Sequence, residues 1–393
     1  MISKRQLLKT ALGLATAASG GALWAADTGP IRIGLILPMT GQSASTGRQI
    51  DAAVKLWMAQ NGNKIAGRTV EVILKDDGAV PDATKRIAQE LIVNDKVAVI
   101  AGFGITPTAL ATAPIATQSK TPLVVMAAAT SMITEASPFI VRTSFTLPQV
   151  TIGIADWAAK NKIKKAVTLV SEYAPGFDAE KFFDSQFRLN GGQILDKLRT
   201  PLRSPDFAPV LQKVLDDKPD ALFVFLPSGQ GAAFMKQFAE RGLDKSGIRL
   251  VATGDVTDDD QLNDMGDVAL GVVNSHHYSA AHPSATNKKF VEAFQAANKF
   301  RPNFMAVGGY DGMRVIYKAL EATKGAGGQA LLNAMKGQVF ESPRGPVLID
   351  AQTRDIVQNV YIRKVERVPA MGNGLYNVEF DVIKAVKDPG KAR

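Results

Sequence analysis

The 393-residue chain contains no cysteine and only three histidines, His276, His277 and His282. The first absence excludes a disulfide framework, a thiolate metal site, a cysteine nucleophile and a lipid-modified N-terminal cysteine. The second leaves little for a histidine-based metal centre, since two adjacent histidines on a strand would point to opposite faces. Nucleotide and hydrolase signatures are missing as well. Gly102-Phe103-Gly104 supplies a G-x-G, but Pro107 stands where a dinucleotide fingerprint needs its third glycine. No lysine follows in the manner of a P-loop, and no G-x-S-x-G elbow occurs. Beyond the N-terminus there is no apolar run of membrane-spanning length.

What is present is a globular composition, 46% hydrophobic and 21% charged, long enough for two domains with real cores. The N-terminus stands apart. Lys4, Arg5 and Lys9 precede an acid-free stretch, Leu7 to Trp24, and Ala25-Ala26 offers small residues for cleavage. Residues 1–26 therefore read as a secretory signal peptide. The run Ser3 to Lys9 also resembles a twin-arginine signal, with lysine in place of the first arginine, which leaves ordinary secretion as the expectation. Of the formal charge of +9, these three cations supply three, which leaves +6 without them. The remaining Lys and Arg are scattered singly, which suits general solubility rather than nucleic-acid binding.

From Ile31 onward short apolar strands alternate with helices of ten to fifteen residues. "IRIGLILP", "TVEVILKDD", the strand ending at "VAVIAG" and "PLVVMAA" are separated by helical patterns at 49–60, 83–93 and up to about Lys120. After "FIVRTSF" the series restarts with "KAVTLVSEY", "GQILDKLRT", "ALFVFLPSG", "IRLVATGD" and "GVVNSHHY". Such alternation indicates parallel sheets covered on both faces, so the fold class is α/β with two doubly wound units. Helical patterns at 287–299 and 305–323 have no strand between them and fit either unit. Two strand-like stretches, "DIVQNVYIRKV" and "YNVEFDVIKAV", close the chain.

Ligands of doubly wound sheets bind beyond the carboxyl ends of the strands. The stretches just after each strand are small, hydroxylated or glycine-rich. One of them, "AGFGITPTALA", places Thr106 as a helix N-cap and Pro107 as the first helical residue. A hydroxyl with exposed amides at a positive helix end suits a carboxylate. The neighbouring rim, Ala127 to Ser131, has the same character. Asp255, Asp258, Asp259 and Asp260 cluster after a later strand. Acid–base work or cation binding is conceivable for such a run, but Thr257 as an N-cap with acids in the first helical turn is the preferred reading. No metal site and no cofactor are expected.

The motifs "GLILPMTGQSASTG", "DDGAVPDAT", "VAVIAGFGIT", "TPLVVMAAATS", "VSEYAPGFDAEKFF", "TGDVTDDD" and "YDGMRVIYKAL", in this order from Ile31 to about Val365, resemble the leucine/isoleucine/valine-type periplasmic binding proteins, the solute receptors of ABC importers. The resemblance implies two Rossmann-like lobes joined by three crossovers (a type I periplasmic binding protein fold). It assigns about 31–145 plus 276–345 to the first lobe and 146–275 plus 346–393 to the second. It also implies that Thr106 and the segment Ala128, Ala129 and Thr130 hold the ligand carboxylate, that Tyr173 covers the ligand, and that Ser228, with Gly254 or Asp255, contributes from the second lobe. Thr46 matches a rim position that is tyrosine in some relatives. Phe103, Gly104 and Tyr278 complete the expected lining. Aspartate in contact would favour an amino acid; glycine there would favour a carboxylate without an amine, such as an aromatic acid.

The expected function is therefore that of a periplasmic, monomeric solute receptor that delivers an amino acid or related small carboxylate to an ABC permease, without catalysis. A ligand sensor of the same fold and an enzyme of doubly wound fold are the alternatives.

Overall fold

A computed structural model describes residues 29–391; the expected signal peptide lies outside the described residues. The first sheet comprises β1 (Ile31–Leu37), β2 (Lys64–Ile65), β3 (Arg68–Asp76), β4 (Val99–Gly102), β5 (Leu123–Val125) and β6 (Ile140–Arg142), in the order β2-β3-β1-β4-β5-β6. All its pairings are parallel except β2 with β3. Its connecting helices are α1 (Ala44–Asn61), α2 (Pro81–Val93) and α3 (Thr106–Ser119). Ile33, Leu35, Val99, Ile100 and Val124 are fully buried, the near-continuous apolar pattern of a sheet covered on both faces.

Helix α4 (Leu147–Lys160) follows the first crossover and packs on the second sheet. Thr146 caps it by accepting from the amide of Gln149, whose side chain accepts from the Thr146 amide in return. The second unit then runs β7 (Lys165–Ser171), α5 (Ala174–Leu189), β8 (Gln193–Thr200), α6 (Ala208–Asp217), β9 (Ala221–Phe225), α7 (Gly231–Glu240), β10 (Arg249–Thr253), the short α8 (Leu262–Met265) and β11 (Val273–His276). The chain crosses back for α9 (Ala285–Asn298), α10 (Phe304–Ala322) and α11 (Gly328–Met335). Helices α9 and α10 both pack against α1, and Tyr317 of α10 donates its hydroxyl to the Gly62 carbonyl at 3.0 Å, so this stretch covers the first sheet.

A third crossing leads to β12 (Val339–Ser342), β13 (Gly345–Ile349), β14 (Ile356–Val368) and β15 (Gly374–Val386). The second sheet has the order β12-β13-β14-β11-β10-β9-β7-β8, with β15 paired to β14. Its β7–β11 core is parallel and the C-terminal strands are antiparallel. Pairing in the second sheet thus begins at Val339, ahead of the Gly345 division that the resemblance implied. The turn at Pro343-Arg344 pairs β12 with β13.

Arg344 pins this junction. Its guanidinium lies 2.8 Å from the Asp311 carboxylate of α10, both groups fully buried. It also donates to the carbonyls of Ser144 and Thr143 and to Gln358 Oε1, at 2.8–3.0 Å. One side chain thus ties α10 and the first and third crossings together. Among the described residues, no helix is long and apolar enough to cross a membrane.

Candidate ligand-binding cleft

Each sheet reverses its winding once. In the first this happens between β1 and β4, in the second between β7 and β9. The loops leaving those four strands line a narrow gap whose cavity volume is about 30 Å³. Ser43, Thr46, Gly104, Ile105 and Thr106 line it from the β1 and β4 ends. Ala127, Ala128 and Ala129 follow β5, while Tyr173, Pro227, Ser228 and Asp255 come from the second sheet. Phe145, Leu147, Phe225, Pro175 and Met305 supply the apolar wall.

The β4 turn shows why this sequence makes a rim. Gly102 has φ +113°, and a Cβ there would lie 2.2 Å from the Ile36 carbonyl oxygen, so only glycine lets β4 hug β1. Phe103 also takes a left-handed conformation, φ +67°, and buries its ring completely in the core. The chain then enters α3 with Ile105 as N-cap and Thr106 as the first helical residue. Thr106 was expected to be the cap; instead its hydroxyl lies 2.8 Å from the Thr130 hydroxyl, and both are buried. Freed from capping, the Thr106 side chain stands at the cleft beside the unpaired amides of the helix start.

Of the residues singled out from sequence, Thr46, Gly104, Thr106, Ala128, Ala129, Tyr173, Ser228 and Asp255 line one cleft. Four do not. Phe103 points into the core, Thr130 reaches the cleft only through Thr106, and Tyr278 is buried elsewhere. Gly254 packs under Arg363: a Cβ there would lie 1.9 Å from Nη2. The ambiguity between Gly254 and Asp255 thus resolves geometrically, with the aspartate on the wall. The Ala128 amide donates to the Phe103 carbonyl at 3.0 Å and is not open to a ligand, whereas the Ala129 amide has no hydrogen-bond partner among the described residues. Phe145, Phe225, Leu147, Met305 and Ser43 were missed; nothing in their apolar or polar pattern marks which of two faces meets the other lobe.

The acidic cluster has a different role from helix capping. Helix α8 begins only at Leu262, with Gln261 as its N-cap, and Thr257 donates its hydroxyl to Asn377 Oδ1 at 3.0 Å. The turn 258–260 instead reaches the first lobe. Asp260 accepts from Ser45 at 2.6 Å and from Gln49 at 3.3 Å, with Arg48 at 3.8 Å. Asp258 accepts from Asn303 Nδ2 at 3.0 Å and from the Ser228 hydroxyl. Burial, reinforced by the charge of Asp260, pushes the Asp258 carboxyl well above the usual range.

His276 and His277 also depart from expectation. Their rings lie 4.4 Å apart instead of on opposite faces, because β11 ends at His276 and His277 already belongs to the crossover. Phe145 packs against both, at 4.7 and 4.9 Å. Burial drives the His276 pKa down to about 4 despite the Asp255 carboxylate 3.5 Å away. The Tyr173 hydroxyl is pushed up, first by burial and then by the charge of Asp255, and its ring stacks on Phe225 at 6.1 Å.

Residues 30–372 match the sequence model of a family described as periplasmic binding protein. The chain belongs to that family. It is 42% identical to a Leu/Ile/Val-binding protein homolog 6 of Brucella abortus (strain 2308) over 391 residues, 98% of this chain and 99% of that protein. Among solved structures, a solute-binding protein of an ABC transporter from Rhodopseudomonas palustris BisB5, in complex with 3,4-dihydroxybenzoic acid, is 63% identical. That match covers 92% of this chain and 99% of the other, with a TM-score of 0.91. A second R. palustris solute-binding protein, in complex with 4-hydroxybenzoate, is 40% identical over 92% and 99% of the two chains, with a TM-score of 0.88. The two sheets and three crossings are the type I form of the family's fold. The binding protein described here is the solute-binding component of an ABC-type importer.

Proposed function

We propose that this binding protein carries a small aromatic carboxylate of the benzoate class through the periplasm to the membrane-spanning subunits of its importer. The observation that carries the reading is the composition of the cleft. Aromatic side chains from both lobes, Phe145, Tyr173 and Phe225, form its walls, and the start of α3 with Thr106 forms one end. A flat ring fits between such walls, and a carboxylate fits the Thr106 hydroxyl, the first-turn amides of α3 and the Ala129 amide. The dihydroxybenzoate and hydroxybenzoate bound in the two R. palustris relatives support the same class.

Energetics require both lobes. Micromolar binding needs about 8 kcal/mol, whereas one helix end contributes roughly 0.3–2 kcal/mol and a charge-assisted hydrogen bond roughly 1.5–3 kcal/mol. Neither lobe alone supplies the total, so the ligand favours the form in which both touch it, a population shift without chemistry. The lobes in this reading are about 31–145 with 276–338, and 146–275 with 339–391. The protein works as an exported monomer, relieved of its signal peptide, with no cofactor and no catalytic step.

A second reading, an amino acid ligand, is favoured by one feature: the Asp255 carboxylate on the wall would neutralise an α-ammonium. Thermal-shift and calorimetric titration with benzoate, 4-hydroxybenzoate, 3,4-dihydroxybenzoate, leucine and valine separates the two. Stabilisation by the aromatic acids at micromolar concentration is expected; stabilisation by leucine or valine alone would establish the second reading instead.

A further inference from the structure

The second-lobe wall of the cleft carries a carboxylate, Asp255, whose task the acid-binding end does not explain. Asp255 is only 3% exposed, and its Oδ2 atom is without a hydrogen-bond partner among the described residues. Ser228, another polar side chain on this wall, is committed to Asp258. His276 Nε2 lies 3.5 Å from the same Asp255 Oδ2. The His276 ring is immobilised by Phe304 at 4.2 Å, His277 at 4.4 Å and Phe145 at 4.7 Å, and none of its surface is exposed. On the other side, the Arg363 guanidinium lies against Gly254, its Nε donating to Asn274 Oδ1 at 2.7 Å.

We propose that Asp255 is the acceptor for a ring hydroxyl of the ligand and that His276 is its positioning residue, together selecting hydroxylated aromatic acids over unsubstituted ones. The proposal rests on the aromatic-acid reading above and adds the substituent pattern to it. The chemistry is asymmetric. An ionised carboxylate only accepts hydrogen bonds, so it rewards a phenolic hydroxyl that points at it. With benzoate in the cleft the same carboxylate would face a C–H bond, buried and unpaired, which is penalised. Neutral His276, its Nε2 3.5 Å from Asp255 Oδ2, packs beside the carboxylate without cancelling its charge and limits how it can turn. The Arg363 guanidinium, against Gly254, places positive charge beside this part of the wall.

The test is the ratio of two affinities, measured calorimetrically for benzoate and 4-hydroxybenzoate on the unaltered full-length mature protein, Asp255→Asn, Asp255→Ala and His276→Gln. The unaltered protein is expected to bind 4-hydroxybenzoate at least tenfold more tightly than benzoate. In both Asp255 variants the ratio falls toward one, and in His276→Gln it falls at least threefold. A purely structural role for His276 would weaken both acids in parallel and leave the ratio intact, which would overturn its assignment. Equal binding of the two acids by the unaltered protein, or a ratio preserved in both Asp255 variants, would overturn the selector while leaving the aromatic-acid reading standing. Failure of every aromatic acid to bind the unaltered protein would overturn that reading, and this one with it.

Discussion

Ser45 Oγ lies 2.6 Å from Asp260 Oδ2, a hydrogen bond between residues 215 positions apart that joins the start of α1 on the first sheet to the turn after β10 on the second. With Gln49 on the same carboxylate and Asn303 on Asp258, the turn 258–260 bridges the two lobes. Its stabilisation therefore adds to ligand affinity although it touches no ligand. Asp260→Ala is expected to weaken binding by about five- to thirtyfold, or roughly 1–2 kcal/mol. Calorimetry on that variant, with Ser45→Ala as a milder companion, checks this; unchanged affinity in both would show the bridge to be incidental.

In the proposed reading, the Thr106 hydroxyl is the side-chain donor to the ligand carboxylate. Thr106→Val should cost tenfold or more in affinity, about 1.4 kcal/mol, whereas Thr106→Ser, which keeps the oxygen, should retain most of it. Thr130→Val removes only the partner that orients Thr106, 2.8 Å away, and should have a smaller effect. Three dissociation constants in that order are the expected result.

The buried His276 gives a pH dependence whose sign is fixed. Its folded pKa, about 4, lies below the ordinary histidine value, so the fold opposes its protonation. Stability is fully present above about pH 6.5 and is lost as the pH falls from there toward 4, by about 1.4 kcal/mol per pH unit for each proton withheld. His277, also held low by burial, adds to the same slope. Denaturant unfolding of the ligand-free protein at pH 7.5, 6.0 and 5.0 should show this decline, and His276→Gln should flatten it.

The junction held by Arg344 should be intolerant of truncation. Arg344→Met leaves the Asp311 carboxylate buried without its cation and should destabilise the protein by about 3–5 kcal/mol. Adding Asp311→Asn removes the stranded charge and should recover part of the loss. A double-mutant cycle by urea unfolding measures both.

Much of the fold was legible because its signal is local. The parallel strands of both sheets are short apolar runs bounded by turns; strand-tip placement marked the stretches to inspect, and the family resemblance pointed within them to Thr106, Ala129, Ser228 and Asp255. Helix α4 is absent from the sequence reading although Thr146-Leu147-Pro148-Gln149, directly after "FIVRTSF", spells a capping box, because the strand–helix alternation visibly restarts only at "KAVTLVSEY". What was illegible depends on the other lobe. Nothing in the sequence around Phe145 or Phe225 says that those rings face across a cleft, and the acids 258–260 look like a helix start until α1 and Asn303 are seen beside them. Phe103 was misplaced for a backbone reason: its left-handed φ turns the ring inward, away from the rim its neighbours form.

The triple passage of the chain between its halves has a consequence for engineering. Because helices 285–335 cover a sheet built from residues 31–142, neither half corresponds to one uninterrupted piece of gene. A chimaera that exchanges a single block between two relatives would hand one half a foreign cover, mismatching α1 against α9 and α10. Transplanting solute preference thus calls for point changes at strand tips, or for two coordinated blocks, and no single cut-and-paste boundary will serve.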